Sequence, residues 1–98
     1  MILKDMMEMK NWVVIGDVVN ESKYAYKIMK ALENENYTIA GVSIKNGENV
    51  YKSLKEIPFE IQVIDLCVNP KFGINYIKEA KELGIKYVLI QPGAESNE

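Results

Sequence analysis

Residues 12–32 read WVVIGDVVNESKYAYKIMKAL. The opening WVVI is a short, β-favouring apolar run that stops at Gly16, as a buried strand does when both of its faces are covered. Beyond a polar loop, Tyr24, Ala25, Ile28, Met29 and Leu32 fall at i, i+1, i+4, i+5 and i+8, one face of a helix. The polar ENEN of 33–36 ends that helix. A strand that turns on one glycine into a helix suits a nucleotide-binding fold. The second and third glycines of the dinucleotide fingerprint G-x-G-x-x-G are absent, which counts against ordinary NAD binding.

Toward the C-terminus the same alternation continues. YTIAGVSI (37–44) reads as a second strand and KNGEN as a turn built on Asn46-Gly47. A two-residue VY then precedes SLKEIP, where Ser53 and Glu56 have the S-x-x-E spacing of a capping box and Pro58 marks the stop, giving a one-turn helix. IQVIDLCV (61–68) is a third strand, apolar at nearly every position. Tyr76, Ile77, Ala80 and Leu83 form another helical stripe that Gly84 closes, and KYVLIQ (86–91) is the last strand. Strands alternating with helices through short connections imply a doubly wound parallel α/β sheet with right-handed crossovers. No repeat, linker or low-complexity segment interrupts it, so residues 1–98 are expected to form a single domain.

Toward the N-terminus, Ile2, Leu3, Met6 and Met7 recur at helical spacing, so the first ten residues are expected to lay a short helix on the body. Interrupted by Lys4, Asp5 and Glu8, this segment does not read as a signal peptide, and no apolar run approaches membrane-spanning length. A cytoplasmic protein with no membrane association is expected. The net charge of −2, with 12 basic residues dispersed among 14 acids, argues against nucleic acid as a partner. The single Cys67 permits no internal disulfide. Ninety-eight residues are few for burying both faces of a sheet, so a homo-oligomer is expected.

In doubly wound sheets ligands sit outside the carboxyl ends of the strands, where the strand order reverses. The candidate site is therefore Gly16–Asn20, Ser43–Lys45, Val68–Lys71 and Gln91–Ala94. A glycine at the first strand's end lets backbone approach a ligand, and the next helix start offers free N–H groups to a phosphate. The same glycine serves a tight turn equally well. Where an acid would meet ribose hydroxyls stand Ser43, Ile44 and Lys45; a lysine there suits a phosphorylated ribose, as in NADP or the 3′-phosphate of coenzyme A, although an exposed lysine in a turn is more often simply solvated.

VYKSLKEIP, VIDLCVNP and VLIQPGAESNE, in that order behind a VVIG strand and a Lys/Tyr-rich first helix, resemble the CoA-binding domain family, small stand-alone modules related to the CoA-binding domain of succinyl-CoA synthetase. The resemblance runs from Asn11 onward. It implies a Rossmann-like, three-layered sheet of about five strands holding coenzyme A or an acyl-CoA as a small-molecule nucleotide ligand. It implies that the pyrophosphate lies over Gly16, Asp17, Val18 and Asn20, and that Lys23, Ala25 and Tyr26 lie where the helix start meets the ligand. Ser43 and Lys45 would lie near the adenosine end, and Val68, Asn69, Pro70, Gln91, Pro92 and Gly93 would wall the cleft. The family usually carries a small or hydroxyl residue where this chain has Val18, and Asn-Pro-Lys where it has Ser43-Ile44-Lys45. Members also continue past QPGAESNE into another helix and strand.

No catalytic machinery is legible. The absence of histidine removes the commonest general base and metal ligand, and no paired-carboxylate, Cys/His or Ser/His set can be assembled. Cys67 sits in an apolar strand as a buried, inert thiol, and Asp65 on the same strand face reads as a structural carboxylate, with a perturbed acid as the alternative. Lys78, Glu79, Lys81 and Glu82 read as a solvated helix face. The expectation is a non-catalytic CoA or acyl-CoA binding protein with no metal site. The alternative is a family member that has lost the ligand at Asp17–Val18 and self-associates or binds a partner through its bare edge.

Overall fold

The computed structural model describes residues 8–43, 45–68, 70–85 and 87–90, with the backbone alone over 70–72. Its elements are β1 (Asn11–Ile15), α1 (Tyr24–Asn34), β2 (Thr38–Val42), β3 (Val50–Tyr51), a 3-10 turn (Leu54–Glu56), β4 (Val63–Leu66), α2 (Pro70–Glu82) and β5 (Tyr87–Ile90). All strand pairs are parallel, in the order β3-β2-β1-β4-β5. The order reverses between β1 and β4, which register Trp12 to Val63 and Ile15 to Leu66. A crevice therefore opens where the chain leaves these two neighbours in different directions.

Alternation along the strands assigns the two layers of core. Trp12, Val14, Ile39 and Val63 pack with Ala25, Met29 and Leu32 of α1, whereas Val13, Ile15, Val42, Ile64 and Leu66 pack with Leu54 and with Ala80 of α2. The sheet is thus covered on both faces, the three-layered α/β arrangement expected. Both helices end in the same way. The N–H of Tyr37 donates to the carbonyl of Leu32 while Asn36, at φ 68°, donates to Glu33; Ile85 donates to Ala80 while Gly84, at φ 77°, donates to Lys81. These paired 6→1 and 5→2 bonds are Schellman caps, with Asn and Gly in the left-handed position.

Several local expectations need correction. Tyr24 is exposed, so the apolar face of α1 starts at Ala25; Ile77 and Leu83 are also exposed, and α2 buries Gly73 and Ala80 and half-buries Tyr76 instead. The two-residue Val50–Tyr51 is the fifth strand, pairing with Gly41 and Val42. The turn before it spans Gly47 to Val50, with Asn49 at φ 59°, rather than centring on Asn46-Gly47. The capping box does not form: Ser53 makes no side-chain bond to backbone and only approaches Glu56 Oε2 at 3.5 Å. The N–H that such a box would satisfy, that of Glu56, is already taken by the carbonyl of Ser53 in the i→i+3 bond of the 3-10 turn. The helix expected over the first ten residues lies mostly outside the described residues, of which Glu8 is helical.

Candidate functional site

β1 delivers Gly16 to the switch point. Its φ of 154° is one that side chains rarely adopt, and an added Cβ would stand 3.0 Å from the carbonyl oxygen of Cys67 and 3.3 Å from Cβ of Ala25. Gly16 is therefore the contact at which the ends of β1 and β4 and the first turn of α1 meet. The N–H of Gly16 donates to Val42 and that of Cys67 to Ile15, so the three central strand ends are tied together at this rim.

Above them lies a groove of about 440 Å³ lined by Ile15, Gly16, Asp17, Val42, Ser43, Lys45, Val68 and Tyr76. Its walls come from β1, β2, β4 and α2 and are mostly aliphatic, with a few convergent polar groups, the composition of a small-molecule site. Lys45 Nζ contacts Asp17 Oδ2 at 3.1 Å, joining the ends of β1 and β2, and the buried Ser43 hydroxyl accepts the N–H of Lys45. Asp17 Oδ1 is inaccessible to solvent and has no hydrogen-bond partner among the described residues. The loop to α1 is shaped by Asn20, whose Oδ1 accepts both the N–H and the hydroxyl of Ser22, and α1 starts without a side-chain cap or an acid in its first turn. Its uncompensated N–H groups favour an anion. Among the described residues, a larger depression of about 510 Å³ is lined by α2 alone, through Asn75, Tyr76, Lys78, Glu79 and Glu82.

The family model described as CoA binding domain matches residues 10–98. The chain belongs to the CoA-binding domain family. It is 35% identical over 100 residues to the alpha subunit of an ADP-forming acetate–CoA ligase I from Pyrococcus furiosus, an alignment that takes in 92% of this chain and 22% of that subunit. The chain thus spans about a fifth of that curated relative. A conserved hypothetical protein from Pyrococcus furiosus superposes with TM-score 0.77 at 34% identity, covering 90% of this chain and 79% of that one. A hypothetical protein from Pyrococcus horikoshii superposes with TM-score 0.80 at 30% identity, covering 89% and 64%.

Against this CoA-binding domain, the residues expected at the site divide into groups. Gly16, Asp17, Ser43, Lys45 and Val68 line one groove. Val18 does not join them: it is buried in the α1 core, its Cγ2 so close to Gly41 that a Cβ there would lie at 2.7 Å. Ala25 is likewise core, packed under Gly16. Tyr26 lines a separate groove of about 270 Å³ between α1 and the 46–50 turn, next to the Lys30–Glu33 pair. Asn20 shapes the loop and the exposed Lys23 is the residue before α1. Pro70 opens α2, while Asn69, Gln91, Pro92 and Gly93 lie outside the described residues. Tyr76 was legible only as part of a helical stripe; a tyrosine one and a half turns into the helix after a switch-point strand was the available signal.

Asp65 lies in β4, whereas Cys67, expected within the strand and buried, stands just past its end and is half-buried, its side chain meeting that of Asp65. Cys67 Sγ donates to Asp65 Oδ1 at 3.6 Å, and burial, with the carboxylate's charge second, pushes the thiol well above its ordinary 9.0. This thiol is no nucleophile at neutral pH. Among the described residues no group of His, Cys, Asp or Glu could hold a metal ion, and no helix is long and apolar enough to cross a membrane.

Proposed function

We propose that this CoA-binding domain holds coenzyme A, free or acylated, at the carboxyl ends of its parallel strands and performs no chemistry on it. The observation that carries the reading is the aliphatic groove at the β1/β4 switch point, with a backbone-only wall at Gly16 and a lysine at its mouth. The aliphatic walls suit a pantetheine or adenine surface. The start of α1 suits the pyrophosphate. Lys45 stands where a 3′-phosphate would be reached from β2. The non-catalytic part of the reading is supported by the raised Cys67 thiol.

Thermal unfolding tests this, with CoA, dephospho-CoA, NADP and NAD compared. CoA at 100 times its dissociation constant is expected to add roughly 2.7 kcal/mol, a midpoint rise of about 10–20 °C for a domain of this size. A smaller rise with dephospho-CoA and none with NAD are expected. No rise with CoA overturns the proposal.

Self-association is a second reading, favoured by Ile74 and Ile77, which lie one turn apart on α2 and are both exposed. Light scattering at high concentration decides it: a homo-oligomer is expected, and a strict monomer removes it.

A further inference from the structure

Asp17 looks misplaced in a site for a polyanion, and its partner explains why it is tolerated. Its Oδ2 holds Lys45 Nζ at 3.1 Å, while its Oδ1 is shut off from water and meets no donor among the described residues. The lysine side chain is about half exposed, so the pair gains little in water and is readily broken. A phosphate offers Lys45 a stronger, charge-assisted partner than a carboxylate with one oxygen already stranded.

We propose that Asp17 is a specificity-determining residue that acts as an internal competitor for the ligand's phosphate. The proposal rests on the reading of this groove as a CoA site with the 3′-phosphate at Lys45. In the free protein Asp17 occupies the ammonium that the ligand needs. Only a ligand with a phosphate in reach of Lys45 takes the lysine away, after which Asp17 turns toward solvent. A ligand without that phosphate leaves the pair closed. Asp17 therefore lowers the affinity for phosphorylated ligands specifically, a repulsive element set against an attractive one. A carboxylate that simply spoiled the site would weaken both kinds of ligand alike.

Calorimetric titration of CoA and dephospho-CoA into the wild type, Asp17→Asn, Lys45→Met and the double variant tests this. Lys45 is exposed and Asp17→Asn exchanges one carboxylate oxygen for an amide of the same shape, so all four proteins are expected to fold alike, as their unfolding midpoints will show; Asp17→Ser is a second variant at the same position. Asp17→Asn is expected to bind CoA about fivefold more tightly, the worth of one exposed ion pair, and dephospho-CoA within about twofold of the wild type. Lys45→Met is expected to bind the two ligands equally, and the double variant to gain nothing further for CoA. An equal gain from Asp17→Asn with and without Lys45, or a loss of CoA binding on removing Asp17, overturns the proposal while leaving the site reading intact. If none of the four binds CoA, the site reading falls, and the proposal with it.

Discussion

Gly16 meets two demands that no other residue meets together: a φ of 154° and backbone 3.0 Å from where its Cβ would be. The clash is with a carbonyl oxygen of the neighbouring strand, which cannot rotate away. Gly16→Ala is therefore expected to cost about 1–3 kcal/mol in denaturant unfolding; an unchanged midpoint would show that the strand ends can part. Cys67 makes a pH prediction. Folding raises its thiol above the ordinary 9.0, so above pH 9 the unfolded chain releases a proton that the folded one retains, and stability is lost as pH rises. The stability difference between the wild type and Cys67→Ala is expected to be constant from pH 6 to about 8 and to move against the wild type above pH 9. Alkylation of the native thiol at pH 8 should be slower than that of a free thiol.

Among the elements, the apolar strands were legible because burial runs along most of their length, and the helices by their spacing, although Tyr24, Ile77 and Leu83 of the expected stripes are exposed. The short pieces were not. Val50–Tyr51 pairs with Gly41 and Val42 through two residues, too few to show a period. Ser53–Glu56 has the spacing of a capping box, but its turn closes as 3-10 and the serine bonds no backbone N–H. Ser53→Ala is thus expected to cost under about 0.5 kcal/mol, whereas a bonded N-cap would cost about 1. Asn36 is the contrasting case, since its left-handed φ of 68° sits inside a complete Schellman cap. Asn36→Ala is expected to destabilise by about 1 kcal/mol and Asn36→Gly not at all, read from chemical denaturation midpoints.

At the scale of the molecule, the reversal of strand order between β1 and β4 opens the groove; a doubly wound sheet was legible from the alternation of strands and helices, but not which two strands flank the reversal. Gly16, Asp17, Ser43, Lys45 and Val68, grouped in the sequence only as strand-end residues, line one groove. What the sequence did not show is which way each side chain turns within a loop. Val18 and Asp17 are neighbours, yet one packs against Gly41 in the core and the other reaches Lys45 across the groove. Tyr76 joins the site from α2, some sixty residues away in the chain.

The most direct measurement of the central claim, that the switch-point groove holds coenzyme A, is a backbone amide NMR titration with CoA. The account predicts shifts for Gly16, Asp17, Ser43, Lys45 and Val68, with Gln62, Asn34 and Gly84 at the opposite rim unmoved. Shifts confined to that opposite rim, or none at saturating CoA, would contradict it.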